Sequence, residues 1–248
     1  VTDFTTSPLS GSHSITLVAC FIDSLTRFVL SGVRMTQTTA VSVVALKTFS
    51  LFHGLSDEAL SNIARVSMMR RFPRGQSVVC GGDGPDYGDL VLTGSLKVVV
   101  SDEDGREVIL SILGQGELFG EMGMFDERPR SASVIAVVPA DLVLISKQDF
   151  RRIMHDSFDV SWRIMCNLAE RLRDADRKIE SLALMDVYGR VARLLIEMSE
   201  DVGGEVVVVR KISKQDIAKM IGASREMVSR VMKDLSQQGL IEERPQGI

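Results

Sequence analysis

FGEMGMFDERPRSAS, Phe119 to Ser133, is the stretch on which the reading of the chain turns. Gly120 precedes a carboxylate, Glu121, and nine residues after that carboxylate comes Arg130, followed by Ser131. A glycine lets main-chain N–H groups approach an anion closely. An arginine offers a planar fork matched to phosphate oxygens, and a serine adds a neutral donor. The remaining carboxylate suits sugar hydroxyls, so the set describes a socket for a nucleotide with one phosphodiester.

Around this socket, from Phe72 to Ser146, short β-rich runs alternate with turn residues. The runs are Ser77–Cys80, Gly88–Thr93, Leu96–Val100, Glu107–Leu113 and Val134–Ile145, and between them stand Gly81-Gly82-Asp83-Gly84-Pro85, Thr93-Gly94 and Asp104-Gly105. Asp-Gly is a strong hairpin signal, and many short strands with regular turns predict a barrel or sandwich. Upstream, Leu46 to Met69 carries apolar residues at helical spacing, with a helix start near Ser56.

Downstream of Lys147 the strands give way to a helical stretch running to about Leu184. In it Met165, Leu168, Leu172, Ala175, Ile179 and Leu182 recur at alternating steps of three and four. That is the a/d seam of a two-stranded coiled coil and predicts a homodimer, although a single helix lying on its own sheet would show the same stripe. Leu184-Met185-Asp186 reads as a hinge, Val187–Glu200 as an amphipathic helix, Gly203-Gly204 as a break and Glu205–Arg210 as a short β-run.

SKQDIAKMIGASREMVSRVMKDL, Ser213 to Leu235, reads as two helices around a tight turn. Ser213 with Asp216 approximates a capping box, Ile217 and Ile221 supply a buried face, and Gly222 permits the turn. The second helix begins at Ala223 or Ser224 and turns Met227, Val228, Val231 and Leu235 inward, leaving Arg225, Glu226, Ser229 and Arg230 exposed. Arginine there suits guanine O6 and N7, and a carboxylate can accept from cytosine N4. The net charge of −4 does not suggest nucleic acid, but the segment from Arg210 to Lys233 holds seven basic residues against two acidic ones, Asp216 and Glu226. A local imbalance of this kind marks a phosphate-contacting face.

Composition sets the remaining bounds. At 248 residues the chain is long enough for about two domains, and its 45% hydrophobic and 25% charged residues are ordinary for a globular protein. Cys20, Cys80 and Cys166 are odd in number and far apart, which fits a reducing cytoplasm and falls short of the thiolates an iron–sulfur cluster needs. His13, His53 and His155 do not pair at metal-ligand spacing, so no metal is predicted. No Ser/His/Asp set is apparent either, and no catalytic residue is assigned. Leu17 to Leu30 is interrupted by Asp23 and Arg27 and is too short for a membrane span, and it lacks the basic flank of a signal peptide.

The spacing of Gly120, Glu121, Arg130 and Ser131 resembles the phosphate-binding cassette of the cyclic-AMP receptor protein/FNR (CRP/FNR) family of bacterial transcription regulators. The likeness covers roughly Phe49 to Ile241. It includes Gly82 to Val99, similar to the family's opening strands, and Ser224 to Arg230, similar to its recognition helix. The resemblance implies an α+β fold with an N-terminal double-stranded β-roll of the jelly-roll kind, a long dimerisation helix and a C-terminal winged helix-turn-helix. The expected domains are the roll over 46–157, the coiled-coil helix over 158–184 and the DNA-binding domain over 185–248. Residues 1–34 are expected to be an extension outside this fold, with Met35 as an alternative start.

By the same resemblance, the expected function is a homodimeric regulator that answers a cyclic nucleotide and binds a palindromic GTGA-like DNA site alongside RNA polymerase. It implies no prosthetic group. Glu121 is assigned to the ribose 2′-hydroxyl, Arg130 and Ser131 to the cyclic phosphate, and Gly120 with the neighbouring main chain, here Met122 and Ala132, to the remaining oxygens. Arg225, Glu226 and Arg230 are assigned to bases, and Ser213, Lys214, Gln215 and Ser224 to phosphates. The wing beyond Leu240-Ile241 is expected to be short.

Cyclic-AMP-binding members place a Thr and a Ser on the long helix against adenine, where this chain has Ala175 and Asp176. Nearby Arg173, Asp174, Asp176 and Arg177 suit guanine, which makes cyclic di-GMP the rival to cyclic AMP; ordinary helix ion pairing accounts for them equally. A nucleotide-binding module acting on a protein partner, and a DNA-binding protein without an effector, are the two remaining classes. The first would lack the Arg225, Glu226 and Arg230 face, and the second would lack Glu121 and Arg130.

Overall fold

The structure is a computed structural model that describes residues 39–208 and 212–242. The extension expected over 1–34 and any wing beyond Glu242 lie outside the described residues, as do Cys20, Arg210 and Lys211. Within them the chain runs β1 (Thr39–Ala40), α1 (Val43–Lys47), a 3-10 turn (Ser50–Phe52), α2 (Asp57–Val66), β2 (Ser67–Phe72), β3 (Ser77–Val79), β4 (Tyr87–Thr93), β5 (Leu96–Ser101), β6 (Glu107–Leu113) and β7 (Leu118–Phe119). It continues with α3 (Glu121–Asp126), β8 (Ser133–Ala136), β9 (Ala140–Ser146), α4 (Lys147–Asp156), α5 (Phe158–Leu184), α6 (Val187–Glu197), β10 (Glu200–Val202), β11 (Glu205–Val207), α7 (Lys214–Ile221) and α8 (Arg225–Gln237).

Two antiparallel sheets make the roll. One has the order β1-β2-β9-β4-β7, the other β3-β8-β5-β6, while β10 and β11 form a separate hairpin. The first sheet is covered on both faces, and its residues divide accordingly. Leu90, Leu118, Val143 and Ile145 join Leu46, Phe49, Phe52, Leu60, Phe150, Val160 and Ile164 beneath the helices. Their neighbours Val91, Phe119, Leu142 and Leu144 join Phe72, Leu96, Leu113 and Val134 between the sheets. Two-sided burial turns the usual alternation into nearly continuous apolar runs.

Serine and aspartate set the helix starts. Ser56, Ser146, Ser157, Asp186, Ser213 and Ser224 each accept a main-chain N–H from inside the helix they precede. Ser157 divides the helical stretch after Lys147 into α4 and the 27-residue α5. Met68 and Met69, expected in the upstream helix, lie instead in β2, because α2 ends at Val66 and the chain turns to pair with β9. The run Val134–Ile145 is likewise two strands, split at Val137–Pro139, which turns the chain from one sheet to the other.

Helix α5 is tied to the roll at both ends. Arg163 donates to the carbonyls of Ser50 and His53, and Lys178 donates to the carbonyl of Leu110 at 2.6 Å. The seam residues Met165, Leu172, Ile179 and Leu182 are exposed, with Leu168 half-buried against the helical core and Ala175 exposed between them. The C-terminal core is formed by Val191, Leu194 and Leu195 of α6 with Ile217, Ala218 and Ile221 of α7 and Val228, Val231, Met232 and Leu235 of α8. Met227, expected inside, is 40% exposed, and Met232 fills the core instead. Positions 228, 231, 232 and 235 complete the i, i+3, i+4, i+7 stripe, whereas 227 falls beside it.

Candidate nucleotide pocket and nucleic-acid interface

The cassette joins β7 to β8 through α3. Gly120 opens it with φ +81, and a Cβ built there would stand 1.8 Å from Arg130 Nη1. No side chain fits between the main chain at this point and the guanidinium. Gly123 is similarly enclosed, since a Cβ would meet the Arg128 carbonyl and Pro85 at 2.7 Å. Glu127 ends α3 at φ 61, and its carboxylate is held by Arg151 at 3.1 Å and Lys147 at 3.4 Å, which lower its pKa. The arm that carries Arg130 is pinned to the loop before β4: Gly82 N–H donates to the Arg130 carbonyl and Arg130 N–H to the Asp83 carbonyl.

These supports bring Gly120, Glu121, Met122, Arg130, Ser131 and Ala132 to one pocket of ≈ 220 Å³. Glu121 is 1% exposed and Arg130 8%. Arg130 Nη2 donates to the Tyr87 carbonyl at 2.6 Å and lies 3.5 Å from Asp89 Oδ2. Glu121 Oε1 receives Arg171 Nη1 from α5 at 2.6 Å. Burial raises the Glu121 pKa, with Arg171 opposing the rise. Glu121 Oε2, Arg130 Nε and Arg130 Nη1 are buried with no hydrogen-bond partner.

Arg171 and Asp89, the charged partners of Glu121 and Arg130, are groups that sequence reasoning missed, as are Asp126 and Arg128 on the pocket lining. Arg171 lies fifty residues from Glu121, and only the docking of α5 on the roll brings it there. Asp89 sits in the β-rich run Gly88–Thr93, in which nothing local marks it as buried, whereas both faces of the strand are covered. Ala175 and Asp176 are exposed on α5 and do not line this pocket within one chain. Asp174 and Arg177 pair with each other three residues apart on the same helix, and Arg173 is exposed beside them.

In the C-terminal module Gly222 takes φ 63 and closes α7, and Ser224 caps α8. Arg225, Glu226 and Arg230 are exposed on α8, and Ser229 is half-buried. Ser213 and Gln215 are exposed at the start of α7, with Lys214 half-buried between them. The capping box is not reciprocal. Ser213 Oγ accepts from Asp216 N–H but donates to the Asp216 carboxylate at 2.6 Å, which leaves that carboxylate no reach to the Ser213 main chain. Helix α7 also lies on the edge strand β6 of the roll and reaches its neighbour β5. Lys219 pairs with Glu107 of β6, lowering the Glu107 pKa, and Asp216 lies 3.8 Å from Lys97 of β5.

Comparison with known proteins agrees with both modules. Residues 69–157 match the cyclic nucleotide-binding domain model, and 189–248 match the Crp-like helix-turn-helix domain model. The chain is 36% identical over 183 residues, 69% of its length and 84% of the relative's, to the cAMP-activated global transcriptional regulator Vfr of Pseudomonas aeruginosa. It is 30% identical over 195 residues, 77% and 87% of the two chains, to the CRP-like cAMP-activated global transcriptional regulator of Mycobacterium tuberculosis. Among solved structures, the c-di-GMP responsive global regulator CLP of Xanthomonas campestris superposes with a TM-score of 0.67 at 28% identity, covering 77% of this chain and 97% of that one. No helix among the described residues is long and apolar enough to cross a membrane. With a cyclic-nucleotide-binding roll, a Crp-like helix-turn-helix and relatives of this closeness, the chain belongs to the CRP/FNR family of DNA-binding transcription regulators.

Proposed function

We propose that the protein is a cytoplasmic homodimeric regulator whose roll binds a cyclic nucleotide of the cyclic AMP type and whose paired α8 helices read a palindromic GTGA-like site. The observation that carries the ligand assignment is the set of unpartnered buried atoms at the pocket: one carboxylate oxygen of Glu121 and two guanidinium nitrogens of Arg130. Each unsatisfied group costs about 1–3 kcal/mol. A cyclic ribose phosphate answers all of them at once, its phosphate accepting from Arg130 and Ser131 and its 2′-hydroxyl donating to Glu121. Main-chain groups of Gly120, Met122 and Ala132 lie beside them. The relatives named as cAMP-activated support the same choice.

The seam on α5, exposed in one chain, is the natural surface for the second copy. Pairing there would place two α8 helices for adjacent major grooves, with Arg225, Glu226 and Arg230 on bases and Ser213, Lys214, Gln215 and Ser224 on phosphates. Ligand can shift DNA affinity only by binding one arrangement of the two modules better than the other. The DNA-bound dimer then acts with RNA polymerase. It binds and signals and performs no chemistry.

Cyclic di-GMP is the second reading, favoured by Ala175 and Asp176 in place of two hydroxyls and by likeness to a protein named as c-di-GMP responsive. One Arg130–Ser131 phosphate set in a pocket of ≈ 220 Å³ suits a mononucleotide better. Calorimetric titration of cyclic AMP, cyclic GMP and cyclic di-GMP, each followed by a gel shift at fixed salt, decides between them. The expected outcome is cyclic AMP binding that Arg130→Ala abolishes, with a changed DNA affinity in the wild type. Absence of binding by all three nucleotides discards the effector role.

A further inference from the structure

Asp89 breaks the pattern of its strand. On β4 it faces the space between the two sheets, the same side as Val91, and its cross-strand neighbours are Leu144 and Phe119, both buried. A carboxylate 1% exposed among such residues costs several kcal/mol unless it is compensated. The compensation is Arg130, whose Nη2 lies 3.5 Å from Asp89 Oδ2, an ion pair too long for a hydrogen bond. The guanidinium thus stands between Asp89 on one side and the cassette main chain at Gly120 on the other.

We propose that Asp89 is a positioning residue of the nucleotide site: it is the internal counter-ion that orients Arg130, and it opposes the ligand phosphate that binds the other edge of the same guanidinium. The proposal rests on the cassette reading above and adds a proton-linked control to it. With Asp89 ionised, Asp89 and Arg130 cancel, Glu121 and Arg171 cancel, Asp126 and Arg128 cancel on the pocket lining, and an arriving phosphate meets three balanced pairs. With Asp89 protonated, Arg130 faces the phosphate uncompensated. Ligand binding therefore draws a proton onto Asp89, and affinity rises as pH falls through its titration.

The surroundings place that titration in an accessible range. Burial pushes the Asp89 pKa up to about 6 against the opposing pull of Arg130 and Arg70. Arg70 is on β2, and Asp83 and Asp86, on the loop before β4, line the recess behind Arg130 with Tyr87. From the pocket side the facing groups are Glu121 with Arg171 and Asp126 with Arg128, and the Glu121 carboxylate is the stronger acceptor for a hydroxyl when ionised.

Asp89→Asn separates charge from geometry, because the amide carbonyl can still orient the guanidinium. Cyclic AMP and, in parallel, cyclic di-GMP are titrated against the full-length wild type, Asp89→Asn and Asp89→Ala between pH 7.5 and 6. Expected is a several-fold tighter wild-type complex at pH 6 than at 7.5, with proton uptake seen as a buffer-dependent heat. Asp89→Asn should bind about tenfold tighter than wild type at pH 7.5 with a flat profile, and Asp89→Ala more weakly than Asp89→Asn. A wild-type profile that is flat, or an Asp89→Asn protein that binds no tighter or keeps the wild-type slope, overturns the proposal. Where Asp89→Asn does not fold, absence of wild-type proton uptake does the same. Failure of the wild type to bind either nucleotide refutes the cassette reading and this proposal with it, whereas binding without pH linkage refutes this proposal alone.

Discussion

The nucleotide pocket and the recognition helix use the same residue types in opposite surroundings. In the pocket, Glu121 and Arg130 are buried, held by Arg171, Asp89 and the Tyr87 carbonyl, and leave polar atoms without partners. On α8, Arg225, Glu226 and Arg230 stand in water on a helix whose opposite face fills a conventional core. Buried charge is strongly coupled to every neighbour, so altering one residue disturbs fold and ligand binding together. Exposed charge is nearly free of the fold and can be changed for what it reads.

Gly120→Ala should break this contrast most severely. A Cβ at 1.8 Å from Arg130 Nη1, on a backbone at φ +81, must expel the guanidinium. Loss of nucleotide affinity by about a hundredfold or more and of about 1–3 kcal/mol in stability is expected, read by calorimetry and urea unfolding. Arg171→Ala comes next. It leaves Glu121 buried without its cation, and unfolding at pH 8 should show a loss of about 1–3 kcal/mol. The sign with pH follows from burial, which already raises Glu121: without Arg171 the carboxyl is higher still, so its neutral form is reached on acidification and the loss shrinks toward pH 5. An equal loss at both pH values would show that packing, not charge, is what Arg171 supplies.

The recognition helix should yield the smallest changes in stability and the cleanest in specificity. Glu226→Ala is expected to relax discrimination at one base pair by about 1–3 kcal/mol while leaving unfolding within about 0.5 kcal/mol of wild type. Lys214→Ala should weaken all DNA sequences alike and reduce the salt slope by about one. Gel shifts on matched and mismatched sites over a salt series separate the two, and identical behaviour of both variants would remove the division between base reading and phosphate holding.

What is legible in the sequence is what is encoded locally. The strand runs, the break at Gly203-Gly204, the start at Ser56 and the turn at Gly222 each depend on a few adjacent residues, and the α+β architecture follows from their order. Gly120, Glu121, Arg130 and Ser131 lie within a dozen residues, so their meeting at one pocket can be anticipated from spacing. Arg171 and Asp89 cannot be. Arg171 reaches Glu121 only through the docking of α5, and the burial of Asp89 depends on the opposite sheet, which its own run does not specify. Met227 departs from expectation for a smaller reason: one step along a helix is 100°, enough to move a side chain from the core to its rim.

Helix α7 has both flanks occupied. Ile217, Ala218 and Ile221 fill the C-terminal core, while Lys219 and Asp216 reach to Glu107 and Lys97 of the roll, and Ile109 lies across a small cavity from Met220. Linked melting of the two modules is the expected result, to be read as one coincident transition in calorimetry and circular dichroism. Heat that loosens the smaller core also strips partners from the β5–β6 hairpin, and a roll that loosens first withdraws support from α7. The unit of cooperativity expected from these contacts is larger than either module, and an isolated module should then melt below the intact chain.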